Sequence, residues 1–371
     1  MKPKTEILIV LLASVLASIV LRFYFSGERR FEEAAFGELT VRYQAMDRSG
    51  RLLHTVNQAP EEVSRMVELA KSGKPNILIL GNSQTHSINQ KREGEVNYPE
   101  LLSRMRPGQN ILTNSLPNGN LQEMLAIAAW WLEKAEFRQV VVPVFMDDLR
   151  EDGLRPEFLR AVVEDGFQFK EAGTVQSKIN ADLDVLRKPK ETAVQGGKKE
   201  ERPTPQDVVE GFLNEKLDAR SETWRNRPNA RGDIFMALYQ WRNTLFGITA
   251  STKRKMIPTR YRLNMDALDA LLKTCRSRGV GVLVYIPPIR TDVEVPYDLK
   301  EYSDFKSQVK KAATDNGAVF ADLDSQVPGN LWGMKASTTS GGGPELDYMH
   351  FQGEGHRLLA EALEPLILDK P

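Results

Sequence analysis

The sequence predicts an α/β protein in which a five-stranded parallel sheet lies between two layers of helices. Three observations predict it. Short apolar runs bounded by turn residues read as strands buried on both faces, as at Ile77–Leu80, Gln139–Phe145 and Val280–Ile286. Longer stretches with apolar residues at helical spacing lie between them, as at Leu121–Lys134 and Met265–Arg278. The two kinds of segment alternate, and the right-handed crossovers of a parallel sheet then place the loops that follow each strand on one edge, where ligands bind.

The chain opens with Lys2 and Lys4, followed by an almost wholly apolar run from Ile7 to Phe25 that only Ser14, Ser18 and Arg22 interrupt. That length is near the minimum for spanning a bilayer, and Arg22 can snorkel to the far interface beside Phe23 and Tyr24. Residues 1–30 therefore read as an uncleaved membrane anchor, with the rest of the chain extracytoplasmic. A cleaved signal peptide is the alternative; the run is long for one, and no small-x-small cleavage site precedes Arg22. Residues 31–74 read as a stalk and lead-in helix. Thr40–Tyr43 and Leu52–Val56, separated by Arg48-Ser49-Gly50, predict a hairpin, and Pro60–Ser72 a helix with Val63, Met66, Val67 and Ala70 on one face.

Residues 75–371 carry the α/β pattern. Gly73-Lys74-Pro75 ends the lead-in helix and opens the first strand. Gln109–Thr113 is the second strand, Leu121–Lys134 a helix containing Trp130 and Trp131, and Gln139–Phe145 the third strand. After an interruption come a helix at Met265–Arg278, the fourth strand at Val280–Ile286, a helix at Tyr302–Asn316, the fifth strand at Ala318–Ala321 and a closing helix at Gly355–Leu368. The interruption, about 151–262, is expected to be a helical insertion capping the sheet edge. It has helices at Pro205–Leu217 and Ile234–Phe246 around a charged, Pro/Gly-rich loop from Lys188 to Pro203.

Lys+Arg and Asp+Glu both total 50, and this balance argues against a nucleic-acid partner, which requires a basic excess or stripe. The charge is uneven, however: Arg187–Arg262 holds 17 basic and 9 acidic residues, whereas Asn264–Pro371 holds 11 and 16. The basic segment is either a solvated face or a surface for an acidic polymer or phospholipid headgroups. The one cysteine, Cys275, excludes an intramolecular disulfide and reads as buried filler. No His/Cys/Asp cluster has metal spacing and no Gly-rich phosphate loop follows the first strand, so no cofactor is expected.

The chemistry centres on Ile77-Leu-Ile-Leu-Gly-Asn-Ser-Gln-Thr-His-Ser87, where an apolar strand stops at Gly81 and delivers Ser83 on a sharp turn at a helix start. A serine nucleophile needs a base, a group that orients the base, and donors for the oxyanion. Asp347 and His350, in the loop before the last helix, supply the orienter and the base. The Ser83 backbone N–H and an N–H near Gly119, in the loop Asn114–Gly119, are the expected oxyanion donors. His86 lies on the same predicted helix as Ser83 and reads as a supporting or surface residue; His356 reads as a capping or solvent residue. Arg290 leaves the fourth strand at the same edge, either to grip an anionic substrate or as a structural arginine.

These residues resemble the SGNH (GDSL-type) hydrolase superfamily. Gly81-Asn82-Ser83-Gln84 looks like its nucleophile block, Gly119 like its second-block glycine, and Asp347-x-x-His350 like its last block, in the family's order. The resemblance covers about Pro75 to Leu368 without the insertion. It implies a flavodoxin-like sheet and a Ser83–His350–Asp347 triad. The N-terminal apolar run and the large insertion are similar to the extracytoplasmic DltD and AlgJ/AlgX branch. That branch implies acyl transfer on cell-envelope polymers beside a multi-spanning membrane O-acyltransferase. One block departs: the family's Gly-x-Asn-Asp is replaced by Val144-Phe145-Met146-Asp147-Asp148. An ionised aspartate donates no hydrogen bond and opposes an oxyanion, so either Asp147 is protonated or displaced, or another donor such as Asn118 or Arg150 substitutes, or activity is weak.

The leading expectation is a membrane-anchored O-acyl esterase or acyltransferase acting on an acylated polysaccharide or other envelope polymer. The alternative is a non-catalytic envelope scaffold of the same fold that partners a membrane acyltransferase. A flavodoxin-like cofactor-binding module is disfavoured by the missing phosphate cradle.

Overall fold

The computed structural model describes residues 39–170, 173–187 and 238–368. The predicted anchor at 7–25, the charged loop and the predicted helix at Pro205–Leu217 lie outside the described residues, and Ile234–Phe246 lies partly outside. No helix among the described residues is long and apolar enough to cross a membrane. These residues fall into two compact units. The smaller holds 238–249 and 336–344, where Asn243 Nδ2 donates to the Thr338 carbonyl (2.9 Å) and the Ser340 N–H to Thr244 Oγ1 (3.0 Å). Everything that follows concerns the larger unit.

Its elements in chain order begin with β1 (Thr40–Arg42), β2 (His54–Thr55), α1 (Pro60–Ala70), β3 (Asn76–Gly81), α2 (Ser83–His86) and β4 (Ser87–Asn89). Next come α3 (Tyr98–Met105), β5 (Asn110–Ser115), α4 (Leu121–Lys134), β6 (Gln139–Pro143), α5 (Arg160–Glu164) and α6 (Thr174–Arg187). The chain closes with α7 (Pro258–Ser277), β7 (Gly281–Ile286), α8 (Leu299–Asp315), β8 (Val319–Asp322), β9 (Trp332–Lys335), β10 (Glu345–Phe351) and α9 (Gly353–Leu363).

The central sheet is parallel throughout and has six strands, in the order β2-β5-β3-β6-β7-β8. Alternation along β3 divides the core. Leu78 and Leu80 face a cluster completed by Met66 of α1, Trp131 of α4, Leu271 of α7 and Phe305 of α8. Ile77 and Ile79 face a second cluster with Leu102 of α3 and Leu359 and Leu363 of α9. Both sheet faces are thus covered, as a parallel sheet of near-continuous apolar strands requires. Cys275 is buried in the first cluster, as expected.

Three expectations need correction. The sheet gains a sixth strand: His54 and Thr55 pair with Thr113 and Asn114 of β5. The predicted hairpin is therefore not formed; β1 pairs antiparallel with β4 instead, and one bridge, Met46 to Leu52, joins the two segments. Leu53 and Val56 pull this stretch into the core, which a solvent-exposed hairpin would not satisfy. Third, the described start of the interruption belongs to the helix layer as well as to the sheet edge, where Gly153 and Arg155 bond Asn120 and Pro117 of the loop after β5. Phe158, Val162, Val175, Ile179 and Leu183 bury α5 and α6 in the first core cluster, in the helix layer.

Candidate active site

Strand β3 delivers the nucleophile position by a tight turn. Asn82 is extended and caps α2, its side chain accepting the Gln84 N–H (3.1 Å), so Ser83 becomes the first helical residue. Gly81 is required by a close approach: a Cβ there would lie 2.3 Å from Thr85 Oγ1. Every side chain of α2 is then pinned. Gln84 Nε2 donates to the carbonyls of Pro288 and Met349, both at 2.9 Å. The Thr85 hydroxyl meets Tyr98 Oη (3.1 Å), which meets Tyr285 Oη (3.1 Å). His86 Nδ1 bonds Ser115 Oγ at 2.7 Å. Three neighbouring side chains held by separate elements leave Ser83 little freedom.

The acid and imidazole sit on β10, not in a simple loop. This strand pairs antiparallel with β9, and its register breaks between Leu346 and Phe351, where Asp347 and His350 lie. Asp347 Oδ1 accepts the backbone N–H groups of Met349 (2.8 Å) and His350 (3.0 Å), and Oδ2 accepts His350 Nδ1 (2.9 Å) and Asn89 Nδ2 (3.2 Å). Burial pushes the Asp347 carboxyl up. The His350 charge, its hydrogen bond and the two backbone N–H groups outweigh burial and bring the pKa down to about 2. An ionised carboxylate only accepts, so His350 Nδ1 carries a hydrogen, and in the neutral imidazole Nε2 then presents its lone pair. That lone pair faces Ser83 Oγ at 3.0 Å, so the hydroxyl donates to it. A hydroxyl donating to an oriented imidazole is the geometry for general-base activation of serine.

The structure thus brings Ser83, His350 and Asp347 into one continuous hydrogen-bonded line. The other predicted residues are placed as follows. The Leu116 N–H donates to the Gly81 carbonyl (2.9 Å), so the loop holding Asn118 and Gly119 leaves β5 beside the nucleophile turn. Gly119 is buried against Leu116, while Asn118 is exposed with φ 47°. Asp147 is tied on several sides: it bonds Arg150 (3.2 Å), Arg254 and the Tyr297 hydroxyl (3.1 Å). Two guanidinium groups and a phenol hydroxyl thus surround its carboxyl. Arg150 is correspondingly committed to Asp147 and the Lys255 carbonyl. Its neighbour Asp148 is buried, and burial pushes its carboxyl well above the usual carboxylate range. Arg290 donates to Asp292 and, at 3.1 Å, to the Gly333 carbonyl, tying the loop after β7 to β9.

Both histidines expected to be supporting or exposed are completely buried. His356 Nδ1 accepts the Tyr98 N–H (3.3 Å) and Nε2 donates to the Ser87 carbonyl (3.0 Å). His86 shares the Ser115 hydroxyl with His54, whose Nε2 lies 2.7 Å from the same oxygen. Sequence reading also missed Asn89 and the cross-link made by Gln84. The signal for Gln84 was its place beside the nucleophile; Asn89 had none, because its partners lie 49 to 258 residues away.

No protein family and no curated protein matches this chain. Among solved structures, it is similar to a proposed acylhydrolase from Bacteroides fragilis NCTC 9343, with a TM-score of 0.37, 10% identity, and coverage of 83% of this chain and 97% of that one. The acetylxylan esterase Axe2 from Geobacillus stearothermophilus aligns with a TM-score of 0.37 and 10% identity over 80% of this chain and 96% of its own. LAE5, an α/β hydrolase enzyme from the metagenome of Lake Arreo, Spain, aligns with a TM-score of 0.36 and 10% identity over 79% and 95%. At such overlap the likeness carries no functional weight, and the chemistry is read from the site's own geometry.

Proposed function

We propose that the protein is a serine O-acyl esterase or acyltransferase of the SGNH type, with Ser83 as nucleophile, His350 as base and Asp347 as its orienter. The observation that carries the reading is the Ser83–His350–Asp347 line, with 3.0 Å and 2.9 Å contacts, beside the turn that ends a parallel strand. The Ser83 hydroxyl passes its proton to His350 Nε2 as Oγ bonds the ester carbonyl carbon. The carbonyl electron pair moves to oxygen, where the Ser83 N–H and an N–H at Gly119 receive it. Collapse breaks the bond to the leaving alcohol, which takes the proton from His350. The acyl group on Ser83 then passes to water or to a second hydroxyl by the same steps in reverse.

The finer reading follows from the sequence. The run at 7–25 anchors the chain, the catalytic unit lies on the extracytoplasmic side, and the acyl groups belong to a polysaccharide or other envelope polymer handled beside a membrane O-acyltransferase. The test is hydrolysis of p-nitrophenyl acetate by the purified protein, wild type against Ser83→Ala. Loss of about a thousandfold or more in kcat/KM is expected. A Ser83→Ala variant as active as wild type overturns the reading, and unimpaired function of that variant in the cell favours a binding scaffold.

A further inference from the structure

We infer that Asn89 is a positioning residue for Asp347, and that through it the seating of the N-terminal strand β1 governs the alignment of the acid–imidazole pair. Three of the four donors to Asp347 come from its own turn: two backbone N–H groups and His350. The fourth is Asn89 Nδ2 at 3.2 Å, from the end of β4. Asn89 is fully buried, and its amide nitrogen also faces Thr40 Oγ1 (3.1 Å) and the Met334 carbonyl (2.9 Å). Two hydrogens serve three acceptors, so the direction of this amide is fixed by all of them together.

The surroundings clamp it further. Gly333 of β9 packs directly on the amide: a Cβ at that position would lie 1.8 Å from Asn89 Oδ1. The Gly333 carbonyl is itself held by Arg290. On the other side Thr40 is the ladder partner of Asn89 in the β1–β4 pair. Strand β1 has three residues, and this ladder and the Thr40–Asn89 bond seat it together with the next residue, Tyr43, whose N–H donates to the His86 carbonyl (2.7 Å) and whose carbonyl accepts Asn97 Nδ2 (3.2 Å). Withdrawing β1 removes an acceptor from Asn89 and frees the amide to turn away from Asp347. Asp347 then loses its lateral restraint, and His350 loses its aim at Ser83.

This inference rests on the serine-hydrolase reading for its kinetic effect but not for its structural one, and the experiment separates them. Asn89→Ala, Thr40→Val and Thr40→Ser are compared by ester hydrolysis and by the downfield proton resonance of the His350 Nδ1–Asp347 hydrogen bond. Asn89→Ala is expected to lower kcat about 10- to 100-fold with KM changed by less than about twofold, the loss of one hydrogen bond to a charged group. Its Nδ1 resonance should shift or broaden. Thr40→Val, at a half-buried position that folding tolerates, should give a smaller loss in the same direction, and Thr40→Ser, which keeps the acceptor, should restore it. Unchanged kcat and resonance in both Asn89→Ala and Thr40→Val overturn the inference. An inactive wild type whose resonance still responds to Asn89→Ala overturns the enzymatic reading and leaves the positioning role standing.

Discussion

Acidification is predicted to unfold this protein well before its carboxylates are exhausted, because three of its four histidines are buried in the neutral form. Burial, aided by the Arg42 charge, brings His54 down to about 3, and the same causes together with its neighbour His54 push His86 well below the imidazole range. Burial, against the Ser87 carbonyl bond, brings His356 to about 3. Each is depressed in the folded chain, so the unfolded chain takes up the proton first, at about pH 6.5. The stability they confer is whole above that value and is lost as pH falls from it toward about 3. At about pH 5 the gap of roughly 1.5 units amounts to about 2 kcal/mol per residue, or about 4 kcal/mol for His54 and His356 together. That is a large part of the about 5–15 kcal/mol that stabilises a typical domain. Asp148 and Glu123 act oppositely, since burial raises both carboxyls and acid relieves their penalty. Three imidazoles against two carboxyls leave a net uptake of about one to three protons on unfolding. Urea unfolding followed by tryptophan fluorescence between about pH 7.5 and about pH 5 gives that number from the slope of stability against pH. A midpoint that is flat or rises on acidification refutes the reasoning. His356→Asn should reduce the slope by about one proton.

Two substitutions test the suspension of the nucleophile turn. Gly81→Ala places a Cβ 2.3 Å from Thr85 Oγ1 and 2.7 Å from its Cβ, and is expected to cost about 1–3 kcal/mol by thermal denaturation; pairing it with Thr85→Ala should recover part of the loss. Gln84→Ala strips donors from the Pro288 and Met349 carbonyls, one of which adjoins His350. It should destabilise by about 1–3 kcal/mol for each carbonyl left dry and lower kcat more than it changes KM.

The parts of the fold that were legible in the sequence are those whose apolar pattern is independent of distant partners. Leu121–Lys134 was readable to the residue because its apolar side chains run unbroken from Met124 to Leu132, and the structure adds an asparagine cap at Asn120. β3 and β7 were readable as continuous apolar runs. Strand β2 was read within Leu52–Val56 but given the wrong partner, since its two residues, His54 and Thr55, are polar; they are buried because Ser115 and Glu62 accept or share their hydrogen bonds across the fold. α3 was missed for a similar reason: its buried face includes Tyr98 and Glu100, the latter bonded to Tyr43 at 2.9 Å.

The same distinction runs through the site. Ser83, Asp347 and His350 stood out because a turn after a strand and a three-residue spacing are local features. Asp147 did not declare its partners, as Arg254 and Tyr297 are more than a hundred residues away. Of the two expectations for His86, a supporting or a surface residue, the structure shows the first. A histidine in a polar sequence context leaves both open until Ser115 and His54 are brought beside it.

The most direct test of the central claim is reaction with a fluorophosphonate probe followed by peptide mapping of the adduct. The account predicts one adduct, on Ser83, that Ser83→Ala abolishes and His350→Ala slows by about a hundredfold or more. Folded wild-type protein that takes no label, or a Ser83→Ala variant that still does, would contradict it.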